Sequence, residues 1–437
     1  MEEAPDREIW RLAVPAFLAL VAEPLFLLAD SAVVGHLGTA QLAGLGAAGA
    51  VLQTVVGVCV FLAYGTTASV ARRLGAGDRP GALAHGIDGL WLAVLVGAVA
   101  TAPAILLAHT LTRAVGASPV IAGPATSYLR IAALGITPLL LMLAATGVLR
   151  GLQDTRTPMV VAVSGNLINI VLNVVLVYGV GLGIRGSALG SVVAQCLAAA
   201  ALVTVVIRGA RREGATIRPH PRGVASAASS GVALVVRTLT LRAALLATTF
   251  AVAHATGDHA VHLATHQVAF TLWSFLAFVL DALAIAAQAL TGRALGRGDV
   301  HATRRLTARM VRWGVVVGVV TGIGLAALSP VVGILFTGDH AVRHGLVPVL
   351  LVVAVGQPIC GVVFVLDGVL IGAGDGRFLA IGGVITLAAY LPLLALAVLM
   401  GGGLVWIWVV FSAIFMGARL VVLAARGRGS RWLVTGA

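Results

Sequence analysis

Twelve apolar stretches constrain this chain more than any other feature of its sequence. Each is about 20 residues or longer, the length that a helix needs to cross the hydrocarbon core of a bilayer. Charged residues make up only 10% of the 437 positions, against about 25% in soluble proteins. We predict an all-α polytopic membrane protein with twelve transmembrane helices, near 10–34, 43–71, 87–109, 124–149, 158–180, 186–207, 225–254, 262–292, 311–336, 345–371, 378–400 and 402–424.

The positions of arginine predict how the chain lies in the membrane. Basic residues concentrate in loops that stay in the cytoplasm. Arginines cluster at 72–79, 150–156, 208–222, 293–312, 377 and 426–431, whereas the alternate loops hold only Arg113, Arg185 and Arg343. This pattern places both termini in the cytoplasm and the protein in the cell (inner or plasma) membrane. Because orientation explains the net charge of +13, no nucleic-acid partner is expected.

The sequence repeats itself once. RLGAGD at 73–78 is followed 221 residues later by ALGRGD at 294–299, and GVLRGLQD at 147–154 is followed at the same distance by GVLIGAGD at 368–375. We predict an N-lobe at 1–207, a basic cytoplasmic linker at 208–224 and a C-lobe at 225–437. Because each lobe has six helices, an even number, both repeats begin on the same side of the membrane and are parallel. Such repeats are related by a pseudo-two-fold axis along the membrane normal, an arrangement that suits alternating access.

One acid interrupts the apolar run PLFLLADSAVVGHLG at 24–38. A carboxylate at membrane depth is unfavourable by about 2.5–3.5 kcal/mol, so Asp30 is a candidate for proton coupling. The alternative is a structural acid bonded to a neighbouring helix. Glu23 lies seven residues earlier on nearly the same helix face, where it either extends a proton path or pairs with an arginine. Pro15 and Pro24 of the same helix each remove a backbone hydrogen bond.

Three amides share one face of the fifth predicted helix. Asn166, Asn169 and Asn173 are spaced by three and four residues in SGNLINIVLNVVLVYG, which places them on one side of a helix. Amides that faced lipid would be unfavourable. We therefore expect this face to line a cavity, with the joining of helices as the alternative.

The second half of the chain carries its own charged residues at membrane depth. They are Arg237, Arg242, Asp281 and Asp367, with His266 just inside the eighth predicted helix. Ion pairing is the favoured interpretation of the acids and arginines, and their further role is open. Under the repeat, Thr146 corresponds to Asp367 and Ala251 to Asp30. The charged sites are not duplicated, which indicates that the two lobes have specialised.

The sequence offers little support for an enzyme. Cys59, Cys196 and Cys360 lie far apart in apolar runs, without the spacing of a disulfide framework or a metal site. No HExxH or GxSxG motif is present, so an intramembrane enzyme is a remote alternative. We predict no metal site and no cofactor. A purely structural role would leave Asp30 and the asparagine face without a purpose.

Several stretches resemble the multidrug and toxic compound extrusion family, in particular its DinF-like branch. They are PLFLLADSAVVGHLG, ARRLGAGD, VLRGLQDTRTP, NLINIVLNVVLVYG, RGSALGSVVAQ and VLDGVLIGAGD, and they run through both halves. The resemblance implies twelve helices in two six-helix lobes. It also implies export of amphipathic, often cationic compounds against a proton or sodium gradient.

The resemblance also suggests roles for single residues. Asp30 matches the acid that family members protonate, Asn169 a polar residue of the same cavity, and Ser191 a position often occupied by threonine. Asn173 departs from the family, which commonly has an acid there. This departure weakens sodium coordination and favours protons, as does the missing acid on the seventh helix. Asp281 and Asp367 match acids of DinF-like relatives, but the motif does not give their role.

These observations together predict a secondary antiporter that exchanges amphipathic, cationic drugs or metabolites for protons. Protonation of Asp30 is the expected coupling step of a rocking cycle. Asn166, Asn169, Asn173, Ser191 and Thr146 are expected to line the cavity. Small amphipathic compounds and the lipid bilayer are the expected partners, and the chain is expected to act as a monomer. A sodium-coupled exporter and a flippase for a lipid-linked precursor are the alternatives.

Overall fold

The computed structural model describes residues 5–255 and 258–436 of the chain. Within these residues the protein is built from helices and contains no strand. The α-helices are α1 (Pro5–Gly35), α2 (Thr39–Val58), α3 (Phe61–Gly75), α4 (Arg79–Leu106), α5 (Ala108–Ala114), α6 (Pro119–Ala132), α7 (Ile136–Gly151), α8 (Arg156–Val174), α9 (Ile184–Arg212), α10 (Pro221–Ala253), α11 (His259–Gly296), α12 (Val300–Val332), α13 (His340–Gly372), α14 (Gly376–Leu399), α15 (Leu404–Val410) and α16 (Met416–Arg428).

Twelve segments of the described chain are long and apolar enough to cross a membrane. They coincide with the twelve predicted helices, so the prediction of an all-α protein with twelve spans is confirmed. The fifth span ends in a π turn at Val175–Gly179 and the ninth in a 3-10 turn at Gly333–Leu335. Three other spans are interrupted away from their ends. The second consists of α2 and α3, the fourth contains a 3-10 turn at Ala133–Gly135, and the last contains a π turn at Phe411–Phe415. Hydropathy did not predict these interruptions.

The chain forms two compact units. The N-terminal unit contains Val14–Val232, and the C-terminal unit contains the start of α1, through Ala13, together with Ala233–Gly436. The boundaries therefore fall inside α1 and α10. The segment 208–224 includes the end of α9 and the beginning of α10. The functional division into lobes on either side of this segment stays a prediction.

The internal repeat reproduces local backbone geometry in each unit. Asp78 begins α4 by accepting a hydrogen bond from the backbone N of Gly81 at 2.8 Å. Asp299 begins α12 in the same way with Ala302, at 2.7 Å. Each is a typical N-cap interaction of an acid with the third helical residue. The glycine before Asp78 and the glycine before Asp299 have φ of +81° and +78°, so both turns need glycine.

The repeat also reproduces a close contact between two helices of each unit. In the N-terminal unit a Cβ atom added at Gly151 of α7 would lie 2.9 Å from the carbonyl oxygen of Thr67 on α3. In the C-terminal unit Gly372 of α13 makes the corresponding approach to Gln288 of α11. Small residues allow membrane helices to approach this closely. Each unit thus contains the same glycine-mediated pair of helices next to its basic loops.

Candidate functional site

Asp30 is buried at the meeting point of four helices in the N-terminal unit. Its side chain is on α1 and the residue is 2% exposed. One carboxylate oxygen, Oδ1, accepts hydrogen bonds from Asn173 Nδ2 at 2.5 Å and Ser187 Oγ at 2.6 Å. The other oxygen, Oδ2, accepts one from Tyr128 Oη at 3.2 Å. The donors come from α8, α9 and α6, so this one acid links α1 to three other helices.

The hydrogen bonds continue from Asp30 along α8. Asn173 Nδ2 also donates to Asn169 Oδ1 at 3.1 Å, and Asn169 Nδ2 donates to Ser191 Oγ at 3.1 Å. Both asparagines are 1% exposed, which their spacing of four on one helix face permits. We call this set the Asp30 cluster, and its members are Asp30, Tyr128, Asn169, Asn173, Ser187 and Ser191.

Helix α8 and the turn that follows it also form hydrogen bonds with α1 at residues before and after Asn169 and Asn173 along the chain. Before them, Asn166 Nδ2 donates to the carbonyl oxygen of Ala22 at 2.6 Å. After them, the chain forms a π turn at Val175–Gly179, and Tyr178 Oη donates to the carbonyl oxygen of Val33 at 2.5 Å. Such turns are frequent at functional sites. The extra residue of this turn rotates the end of α8 beside Asp30.

Every group that binds Asp30 is electrically neutral. Amide and hydroxyl donors supply the three hydrogen bonds, and no ion pair to Asp30 is formed anywhere in the described chain. A buried carboxylate without an ion pair is unusual, because charges inside proteins are normally paired. The cluster therefore lacks a fixed counter-charge, and its negative charge can be offset by a mobile proton or cation.

Besides Asn166, four residues predicted for this site lie outside the hydrogen bonds of the Asp30 cluster. Glu23 is exposed on α1, and Thr146 is half-buried on α7. Among the described residues neither forms a hydrogen bond with the cluster. Pro15 and Pro24 lie within α1, which continues as one helix through both.

Asp367 is buried between two arginines of the C-terminal unit. Arg237 on α10 binds its carboxylate through both Nε and Nη2, in agreement with the predicted ion pairing. Arg419 Nη2 on α16 donates to Asp367 Oδ1 at 3.4 Å. We call Arg237, Asp367 and Arg419 the arginine–aspartate cluster. Arg242 on α10 and Asp281 on α11, which the sequence grouped with them, are half-buried.

His266 belongs to an aromatic core in the C-terminal unit. The residue is 3% exposed, and its Nε2 lies 3.0 Å from Thr249 Oγ1. Its ring centroid lies 5.5 Å from that of Trp408 and 5.9 Å from that of Phe270. These contacts place the His266 ring among the aromatic side chains of this core.

The sequence analysis missed Tyr128, Ser187 and Arg419. Ser187 precedes Ser191 by four residues, so the helical spacing that identified the asparagines applies to it as well. Arg419 was detectable as a charge inside the last apolar stretch. Tyr128 carries no comparable signal, because a lone tyrosine in an apolar helix is common. A further missed acid, Asp88, is buried and accepts a hydrogen bond from the backbone N of His220 at 2.8 Å.

No group of three or more histidine, cysteine, aspartate or glutamate side chains that could hold a metal ion is found in residues 5–255 and 258–436. The polar groups of the Asp30 cluster are amides and hydroxyls around a single carboxylate. This arrangement is suited to hydrogen bonding and proton exchange.

Comparison with known proteins gives consistent results over most of the chain. The family model MatE matches residues 15–175 and 233–399. Protein DETOXIFICATION 44, chloroplastic, of Arabidopsis thaliana is 34% identical over 442 residues, covering 96% of this chain and 81% of that protein. DNA damage-inducible protein F of Escherichia coli is 29% identical over 383 residues, covering 84% and 81%.

Solved structures share the fold. A MOP superfamily transporter from Pyrococcus furiosus superposes with a TM-score of 0.87 at 21% sequence identity, covering 98% of this chain and 96% of that one. A multidrug resistance MATE family transporter solved in an outward-facing conformation gives 0.86 at the same identity and coverage. Proteins of this family are transporters rather than enzymes and need no cofactor. The chain therefore belongs to the MatE family, the multidrug and toxic compound extrusion transporters, as its motifs indicated.

Proposed function

We propose that this transporter exports small amphipathic cations in exchange for protons, with protonation of Asp30 as the coupling step. The observation that carries the proposal is the environment of Asp30, which is 2% exposed and bound by three neutral donors from three other helices. A carboxylate in this position attracts a cation, and a proton on the same carboxylate removes that attraction. Proton and substrate therefore compete for one charge.

The surroundings of Asp30 favour a proton over sodium. Hard metal cations take several oxygen ligands, and carboxylates are the strongest of them. The atoms directed at Asp30 are an amide nitrogen and two hydroxyl groups that act as donors. Asn173 occupies the position where many relatives of this family have a second acid. A sodium ion would have to displace these hydrogen bonds, whereas a proton needs only one carboxylate oxygen.

The unequal hydrogen bonds indicate where the proton binds. Oδ1 accepts two short bonds, at 2.5 and 2.6 Å, whereas Oδ2 accepts a single one from Tyr128 at 3.2 Å. We place the proton on Oδ2. The protonated oxygen becomes a donor, so the Tyr128 hydroxyl must rotate to accept from it or turn away. Protonation thereby changes the contact between α1 and α6 and leaves the contacts of α1 with α8 and α9 in place.

The exchange cycle follows from this competition. A proton entering from outside neutralises Asp30 and releases the bound cation outward, and the proton then leaves to the cytoplasm. A ligand shifts a conformational equilibrium only through different affinities for the two states, which here are the outward-facing and the inward-facing conformations of the transporter. We place the chain in the cell membrane, acting as a monomer, with both termini in the cytoplasm.

The relatives support export as the direction of transport. A probable multidrug resistance protein NorM of Thermotoga maritima is 29% identical over 213 residues, covering 47% of this chain and 46% of that protein. Its name refers to multidrug resistance, an outcome that export of compounds from the cell produces.

Transport in proteoliposomes tests the proposal. We expect an imposed proton gradient to drive accumulation of the fluorescent cation ethidium by the wild-type protein. Asp30→Asn keeps the size and polarity of the side chain but cannot exchange a proton, so proton-driven accumulation should fall at least tenfold. Asp299→Asn is the matched control, because this acid is exposed at the start of α12 and asparagine is an equally good N-cap.

Two results would contradict the proposal. Ethidium accumulation that follows a sodium gradient and ignores a proton gradient would assign sodium as the coupling ion. Proton-driven accumulation that persists in Asp30→Asn would remove Asp30 from the coupling step. Folding of each variant is checked by its thermal unfolding in the same detergent.

A further inference from the structure

The connection from α9 to α10 in the N-terminal unit is strongly basic. We call residues 208–222 the basic segment. Its only acid, Glu213, binds Arg79 of α4 at 3.0 Å. Its arginines are all exposed, and within residues 5–255 and 258–436 none of them forms an ion pair with an acid; they are Arg208, Arg211, Arg212, Arg218 and Arg222. The positive charge of the basic segment is therefore available to a partner outside the chain.

Helix α4 holds the basic segment in a fixed position. Besides the ion pair of Glu213, two hydrogen bonds join them. Trp91 Nε1 donates to the carbonyl oxygen of Ile217 at 3.2 Å, and the backbone N of His220 donates to Asp88 Oδ1 at 2.8 Å. Asp88 is 3% exposed, so this last contact is buried. The arginines are thus carried by an ordered segment that lies along one helix.

The arginines at the end of α9 continue an exposed apolar row of that helix. Leu197, Ala201 and Val205 are exposed at successive spacings of four residues, which places them on one face. Arg208 and Arg212 follow on the same face, at spacings of three and four. An exposed apolar row on a membrane-spanning helix faces lipid. Arginines at the end of such a row extend their long side chains to the lipid headgroups.

Helix α4 places the middle of the basic segment at the same level. Trp91, Leu95 and Val99 are exposed at spacings of four residues and form the apolar row of α4. Tryptophan is enriched where a membrane meets water, and Trp91 is the residue of this row that binds the basic segment. The exposed side chain of Ile217 lies next to this contact. The basic segment therefore lies at the membrane surface.

We propose that the basic segment binds the phosphate groups of anionic phospholipids. Guanidinium groups form charge-assisted hydrogen bonds with phosphate oxygens, and clusters of four to eight basic residues beside a membrane span attract anionic lipids. The orientation of the chain accounts for basic residues in a loop. It does not require that α4 hold them in place or that they end a lipid-facing row. The basic segment shares no residue with the Asp30 cluster, so this binding does not depend on proton coupling.

Native mass spectrometry of the full-length protein, stripped of lipid, tests the proposal. We expect phosphatidylglycerol to bind more tightly than phosphatidylcholine, because choline offsets the charge of the phosphate in the second lipid. The triple variant Arg208→Gln, Arg211→Gln and Arg212→Gln should weaken phosphatidylglycerol binding at least tenfold. Equal affinities of the wild-type protein for the two lipids would overturn the proposal.

A second triple variant is the matched control. Arg113→Gln, Arg185→Gln and Arg343→Gln together remove the same positive charge from the loops at the other ends of the spans, and should change phosphatidylglycerol affinity less than twofold. An equal loss in both triple variants would show that net charge alone attracts the lipid and would contradict the proposal. Displacement of phosphatidylglycerol by inorganic phosphate would identify free phosphate as the occupant and would also overturn it.

A further measurement uses the wild-type protein and does not depend on the folding of a variant. Phenylglyoxal modifies accessible arginines, and mass spectrometry gives the rate at each of them. In nanodiscs, replacing phosphatidylcholine with phosphatidylglycerol should slow modification of Arg208, Arg211 and Arg212 at least threefold. Arg185, an exposed arginine at the other end of α9, meets the same membrane charge and should change less than twofold. Equal slowing at Arg185 would contradict binding at the basic segment.

Discussion

Two buried acids of this transporter have opposite partners. Asp30 is bound by amide and hydroxyl groups without a charge, whereas Asp367 lies between two guanidinium groups. Because the donors to Asp30 are neutral, a proton can bind its carboxylate without leaving a buried cation unpaired. Protonation of Asp367 would remove the negative charge that both guanidinium groups bind. The difference in partners suits Asp30 for coupling and Asp367 for holding arginines in place.

This difference predicts unequal effects on stability. Asp367→Asn removes the carboxylate that both guanidinium groups bind and should lower the free energy of unfolding by about 3–5 kcal/mol, the usual effect of breaking a buried ion pair. Arg419→Gln keeps the two-nitrogen contact between Arg237 and Asp367, so its effect should be clearly smaller. Thermal unfolding of both variants in the same detergent gives the comparison. Equal losses would show that Arg419 contributes as much to stability as Asp367.

Part of the candidate site was predictable at the level of single residues. An acid in an apolar run and three amides with helical spacing are visible in any single helix, so Asp30, Asn169 and Asn173 were found. Tyr128 was missed because a lone tyrosine in an apolar helix carries no comparable signal, and Ser187 was missed although it precedes Ser191 by four residues. These two donors lie 98 and 157 residues from Asp30 along the chain. Which residues meet across such distances depends on how the helices pack, and helical periodicity does not contain that information.

At the scale of the helices, the lengths were predictable and the interruptions were not. The fifth span was expected at 158–180 and extends over Arg156–Gly179, because hydrophobicity marks the part of a helix that lies in lipid. The break between α2 and α3 and the π turn at Val175–Gly179 leave hydropathy almost unchanged. They result from local changes in hydrogen bonding, which composition does not report.

Glycines set how closely α12 and α13 approach, and two of them on α12 make a sharp comparison. A Cβ atom at Gly318 would lie 2.6 Å from the carbonyl oxygen of Gln357, whereas one at Gly324 would meet no atom within 4 Å. Gly318→Ala should therefore destabilise the protein by about 1–3 kcal/mol, as overpacking does. Gly324→Ala should be neutral or stabilise by up to about 1 kcal/mol, because alanine favours the helix.

Thermal unfolding midpoints of the two alanine variants, measured side by side, check this expectation. The order of the midpoints matters more than their size, since both substitutions add the same methyl group to the same helix. A midpoint for Gly318→Ala at or above that of Gly324→Ala would show that α12 and α13 can separate without loss of stability.

At the scale of the whole molecule, the two repeats share helix caps and helix contacts but differ in their buried polar and charged residues. The capping acids and the glycine-mediated helix pair recur 221 residues apart. The donors to Asp30 do not recur, because the positions that correspond to Tyr128, Asn173 and Ser187 are occupied by Val349, Leu394 and Trp408. The arginine–aspartate cluster is equally unshared, with Ala16, Thr146 and Ala198 at the positions corresponding to Arg237, Asp367 and Arg419.

Proton coupling should therefore not be transferable from one repeat to the other. Ala251 corresponds to Asp30 in the second repeat, so the double variant Asp30→Asn with Ala251→Asp moves the acid by one repeat. We expect no recovery of proton-driven ethidium accumulation in proteoliposomes, because the new carboxylate lacks the three donors of Asp30 and has Val349, Leu394 and the bulky Trp408 at their positions. Ala251→Asp alone, with Asp30 intact, is the control that shows the added acid to be tolerated. Recovery in the double variant would mean that an acid at either repeat is sufficient and that the donors of the Asp30 cluster serve stability alone.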